Sequence, residues 1–163
     1  MSVRTGISLA ALLLVAVLGA SCSKGPATKD GGGGGGNLSA CDLTEPAVVG
    51  EVFGEASTSE VGGAARNCTY PVSEGSATEV NVFYYGNASQ WDGIREGYVD
   101  NRGGVTDVSG IGDAAFNPND FGGYEVVVRS GDVVFAVSVF SGDPSDANLH
   151  NIAALAKRIA NDL

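Results

Sequence analysis

Tyr124-Glu125-Val126-Val127-Val128-Arg129-Ser130-Gly131-Asp132-Val133-Val134-Phe135-Ala136-Val137-Ser138-Val139-Phe140 is the stretch whose reading decides the fold. Tyr124, Val126 and Val128 alternate with Glu125, Val127 and Arg129, the period of a strand whose two faces differ. Ser130-Gly131-Asp132 supplies turn chemistry, and Val133 to Phe140 runs back as a strand apolar on both faces. The stretch therefore predicts an antiparallel hairpin whose second strand is covered on both sides.

Toward the C-terminus, Pro144 and a Ser145 cap introduce the clearest helix of the chain. Leu149, Ile152, Leu155, Ala156, Ile159 and Leu163 form its apolar stripe, with Asn151, Lys157, Arg158 and Asp162 opposite. Toward the N-terminus, Asn117 to Gly123 reads as a loop and Val105 to Val108 as a short strand. Ser89 with Asp92 resembles a capping box for a helix striped by Trp91, Ile94 and Tyr98. Gly93 and Gly97 weaken that helix by about 1 kcal/mol each, and their spacing suggests that a backbone packs closely there. Val80, Val82 and Tyr84 alternate with Asn81, Phe83 and Tyr85 as a strand after a turn over Ser73 to Thr78. Cys68, Tyr70 and Val72 line one face of an earlier strand, which Pro71 places at a sheet edge. Thr44 can cap a helix with Pro46 in its first turn, striped by Val48, Val49, Val52 and Phe53 and stopped by Gly54. The order of elements argues for an α+β domain over residues 41–163, an antiparallel sheet of about five strands packed by helices.

The chain before this domain has a different texture. Arg4 leads an apolar run from Ile7 to Ala20 that ends in small residues, the layout of a secretory signal over residues 1–21. Leu18-Gly19-Ala20-Ser21-Cys22 resembles the lipobox of bacterial lipoproteins, with the usual leucine one position early. That resemblance implies cleavage before Cys22, a diacylglyceryl group on its thiol and acylation, palmitate included, of the new N-terminus. Residues 22–40 hold six consecutive glycines, Gly31 to Gly36, and no hydrophobic period, so they read as a flexible tether. The run lacks the Gly-Lys-Ser/Thr ending of a phosphate cradle. Arg4 is the one charge in the leader, so its removal leaves 8 basic against 19 acidic residues. That balance excludes nucleic acid as a natural partner and leaves attachment at the membrane to the lipid at Cys22. With Cys22 modified, Cys41 and Cys68 remain as an even pair in an oxidising compartment and read as one disulfide, worth about 3 to 4 kcal/mol.

Several short motifs recur in one order: Cys41-Asp42-Leu43-Thr44, Cys68-Thr69-Tyr70, Gly110-Ile111-Gly112-Asp113-Ala114-Ala115, Arg129-Ser130-Gly131-Asp132 and an alanine-rich last helix. Together they resemble the actinobacterial envelope lipoproteins of domain-of-unknown-function family 3558. The family's usual Thr-Pro start is displaced here, Pro46 standing one residue later. The resemblance implies a cell-surface lipoprotein on the extracytoplasmic face of the membrane and supplies no catalytic residues.

Motifs that imitate chemistry have simpler readings. Gly110-x-Gly112-x-x-Ala115 has dinucleotide-fingerprint spacing, yet Asn117-Pro118 follows in place of a helix, so it reads as a tight turn into a strand. Asn117, Asn119 and Gly122 match part of a calcium loop, but Phe121 and Val128 fall where oxygen ligands are needed. His150 is the single histidine, and no serine lies in a Gly-x-Ser-x-Gly elbow. The expectation is a non-catalytic binding or accessory lipoprotein without cofactor or metal, with Tyr84, Tyr85, Trp91 and Tyr98 as its binding surface. Its partner would be an envelope protein or a small apolar ligand. An envelope hydrolase, or a sensor of another envelope protein, is the alternative.

Overall fold

The computed structural model describes residues 38–54, 66–72, 77–119, 124–141 and 146–163. All of them belong to one compact unit, Gly35–Leu163. The signal peptide, Cys22, the glycine run, most of the Ser73 to Thr78 turn and the Pro144-Ser145 helix start lie outside the described residues. The unit is α+β. Strands β1 (Asn67–Pro71), β2 (Ala77–Asn87), β3 (Val105–Val108), β4 (Ala114–Pro118), β5 (Tyr124–Ser130) and β6 (Val133–Ser141) form one six-stranded sheet in the order β1-β2-β6-β5-β4-β3. Every neighbouring pair is antiparallel. Helices α1 (Pro46–Phe53), α2 (Trp91–Arg102) and α3 (Asp146–Asp162) complete it. Among the described residues no helix is long and apolar enough to cross a membrane.

The β5–β6 hairpin forms as its alternation predicts, with Val126 opposite Val137 and Val128 opposite Phe135. One face of the sheet collects Cys68, Tyr70, Val80, Val82, Val126, Val128, Phe135, Val137 and Val139. Ile152, Leu155, Ala156 and Ile159 of α3 and Val49 and Phe53 of α1 complete this larger core. β6 is buried on both faces because its intervening residues, Val134 and Ala136, join a second cluster with Phe116, Val127 and Trp91. That smaller core lies where α2 packs on β3 and β4. Leu163, read as part of the α3 stripe, is 51% exposed, since it stands beyond the last helical turn and the sheet it would have faced.

Cys41 and Cys68 are joined, their Cα atoms 5.1 Å apart, an ordinary span for a bridge. The bond fastens the 3-10 turn Ala40–Asp42 to edge strand β1. Glu45, not Thr44, occupies the N-cap of α1, and Gly54 closes the helix in the left-handed conformation at φ 92°. Thr44 is buried instead, and its carbonyl accepts a hydrogen bond from the Tyr70 hydroxyl at 3.0 Å. Burial pushes the Tyr70 phenol up to about 12, with the Asp42 charge adding to the effect.

The sheet has one strand more than its sequence advertises. β4 contains Ala114-Ala115-Phe116, then Asn117-Pro118, whose turn-forming character masks the strand. Proline is tolerated because β5 pairs only with residues 114–116, so Pro118 needs no ladder partner on that side. β2 also begins at Ala77, inside the stretch read as a turn. The Gly110-Ile111-Gly112-Asp113 loop is a structural turn docked on the β5–β6 hairpin. A Cβ on Gly112, at φ 54°, would meet the Arg129 carbonyl oxygen at 2.5 Å. Asp113 N–H donates to that same oxygen at 2.8 Å, and Gly131 N–H donates to the Asp113 carboxylate at 2.9 Å.

Candidate functional site: a groove between α2 and β2

The strand period of two sends Tyr84 and Tyr85 to opposite faces of the sheet. Tyr84 packs against the larger core, whereas Tyr85 packs on the α2 side with Trp91 and Tyr98. Three of the four aromatics expected at a binding surface therefore share a face, and Tyr84 does not. Trp91 is 93% buried in sum, with a relative exposure of 7%, and its ring tilts against Phe116 at 5.3 Å between centroids. The Arg129 guanidinium stands 5.5 Å over the Trp91 ring, a cation–π contact. Tyr98 meets Phe116 edge-on at 5.4 Å. Trp91 is thus chiefly an anchor that holds the start of α2 to the sheet.

The helix itself starts differently from its expected capping box. A 3-10 turn, Ala88–Gln90, precedes it, Gln90 occupies the N-cap without a side-chain cap bond, and the Ser89 hydroxyl donates to Asn87 Oδ1. Nor does a backbone pack against Gly93 and Gly97. A Cβ at either position would meet nothing within 4 Å. The two glycines line open space, a groove of about 300 Å³ bounded by Tyr85, Gly93, Ile94, Gly97, Tyr98, Asn101 and Arg102. That volume is at the small end of ligand pockets. The Asn101 amide donates to the Gly97 carbonyl at 2.7 Å.

Behind the groove a row of polar side chains crosses the sheet. Register aligns Thr69, Asn81, Ser138 and Glu125 on adjacent strands of this face. Thr69 Oγ1 donates to Asn81 Oδ1 at 2.7 Å, and Asn81 Nδ2 donates to Glu79 Oε1 at 3.0 Å. Glu125, 5% exposed, ends the row. Its Oε1 accepts hydrogen bonds from Tyr98 at 2.9 Å and Tyr85 at 3.2 Å, and the two phenolic oxygens lie 2.8 Å apart. Burial raises the Glu125 carboxyl above its usual range, an effect the two phenol donors and the nearby Arg102 charge only partly offset. Burial raises both phenols as well, with the Glu125 charge adding to it.

Glu125 was the hidden member of this site. Its one signal in the sequence is a carboxylate within the valine-rich strand Tyr124–Ser130, on the same face as Val127. Asn101 and Arg102 enter only because α2 runs to its full length. His150 is exposed on α3, against the opposite face of the sheet. Among the described residues no group of three or more His, Cys, Asp and Glu side chains could hold a metal ion.

No family model matches the chain. No curated protein and no solved structure matches it either.

Proposed function

We propose that the protein is a non-catalytic binding module of the cell envelope, held at the membrane by lipid on Cys22. The groove between α2 and β2 carries this reading. It is a small cavity lined by two tyrosines, an isoleucine and two glycines together with Asn101 and Arg102. Such a mixture of apolar wall and few polar groups suits recognition. The polar groups beside it partner one another: Glu125 is held by two hydroxyl donors, and both phenols are driven toward their neutral forms. The resemblance to the actinobacterial envelope lipoproteins and the lipobox around Cys22 support the placement outside the cell.

Two variants test the two halves of the reading. Cys22→Ser should lose labelling by a clickable fatty acid and leave the membrane fraction or remain unprocessed. Gly97→Leu should stay on the membrane and fold, since its added Cβ points into open space, yet fail to complement a strain lacking the protein. Normal labelling of Cys22→Ser would remove the anchor, and full complementation by Gly97→Leu would remove the groove.

A further inference from the structure

We infer that the groove takes a neutral, hydroxyl-bearing ring of saccharide type, one of whose hydroxyls donates to the paired phenols of Tyr85 and Tyr98, which Glu125 backs. This rests on the groove being a binding site and deepens it to a ligand class. The argument is a proton count. Three oxygens make three contacts, at 2.8, 2.9 and 3.2 Å. When Glu125 is ionised the triangle holds two protons, one on each phenol. If both are donated to the carboxylate, the two phenolic oxygens face one another at 2.8 Å with no hydrogen between them. A ligand hydroxyl reaching Tyr85 and Tyr98 from the groove donates to one of these two oxygens and can accept in return, which an apolar ligand cannot do.

Charge and shape narrow the class. Of the lining residues only Arg102 is charged, and the buried Glu125 behind the groove lies within its field, so no cluster of like charges is presented to an ion. The chain as a whole carries a formal charge of -10, which opposes anions at long range. Gly93 and Gly97 sit one helical turn apart and give the wall a smooth floor, beside the rings of Tyr85 and Tyr98. A flat, partly apolar, hydroxylated ring matches that surface. At about 300 Å³ the groove accommodates a unit of one or two rings and no longer chain.

Protonation of Glu125 gives the proposal its own signature. A third proton inside the triangle satisfies all three contacts and removes the need for the ligand's donor. The groups facing Glu125 are Tyr85 from β2 and Tyr98 and Arg102 from α2, and Ser138 beside it on β6 does not titrate. Binding should therefore weaken as the pH falls through the raised carboxyl range.

The full chain in detergent would be titrated with N-acetylglucosamine, maltose and cellobiose, and in parallel with choline, inorganic phosphate and indole, read by isothermal titration calorimetry. Expected are binding of at least one neutral saccharide, a loss of about tenfold or more in Gly97→Leu and Tyr98→Phe, and no change in His150→Gln. Lowering the pH should weaken the unmodified protein and leave Glu125→Gln flat. Saccharide binding that survives Gly97→Leu, or that strengthens on acidification, overturns the proposal. If choline, phosphate or indole binds in a Gly97-dependent way while saccharides do not, the ligand class is wrong and the groove reading stands. If no probe binds, the class is again wrong, and complementation by Gly97→Leu then decides whether the groove reading falls with it.

Discussion

Glu125 is the residue at which stability and pH meet. Its folded carboxyl is raised above the ordinary value, chiefly by burial, so above about pH 4.5 the unfolded chain ionises while the folded one resists. Stability from this residue is fully present below that value and declines as the pH rises toward the folded one. Glu125→Gln does not titrate. Its melting midpoint minus that of the unmodified protein at the same pH should climb as the pH rises above about 4.5. A constant difference over that range would contradict the raised carboxyl. Asp42 works in the opposite sense, because the Ser39 N–H and hydroxyl hold its carboxylate below 3.8 and its share is lost as the pH falls. Glu125 itself was visible in the sequence only as an odd carboxylate. Its two phenol partners come from residues 40 and 27 positions away, joined by strand register and helix placement that no local period encodes.

At the level of elements, glycines divide into those that relieve a collision and those that leave a space. Gly112→Ala drives a methyl toward the Arg129 carbonyl at 2.5 Å in a left-handed backbone, and should lower stability by more than about 1 kcal/mol. Gly93→Ala adds a methyl to open space in a helix interior and should raise stability by about 0.5 to 1 kcal/mol. Chemical denaturation of both variants measures the contrast, and a destabilised Gly93→Ala would mean that something does pack there. The helix with its stripe of Trp91, Ile94 and Tyr98 was legible from spacing alone, but the purpose of its glycines was not. An i, i+4 pair is the same in sequence whether it faces a neighbouring backbone or a cavity. β4 escaped for a comparable reason: its apolar run lasts three residues before Asn117-Pro118, too short to outweigh strong turn formers. The β5–β6 hairpin and α3 were legible because their periods run long enough to leave one reading.

For the molecule as a whole, the bridge from Cys41 to Cys68 sits near the first described residues of the domain. It closes a loop that contains α1 and ties the 3-10 turn directly to the sheet edge. Cys68→Ala should cost about 3 to 4 kcal/mol, a fall of roughly 10 °C or more in the thermal midpoint at this size. A shift of only a degree or two would mean that the loop is already held by the packing of Val49 and Phe53 on α3 and the sheet.

The same bridge also sets a route for mechanical load. Tension applied to the chain ahead of Cys41 passes through sulfur to Cys68 and enters the fold at the edge strand, so α1 is bypassed and bears none of it. The 27 positions from Cys41 to Cys68 are stored length that no pull can draw out while the bond is intact. Stretched between its two ends in an optical trap, the oxidised protein should unfold to a contour shorter by about 90 Å than the reduced protein. The domain would then behave as a clasp whose slack is released by reductant rather than by force.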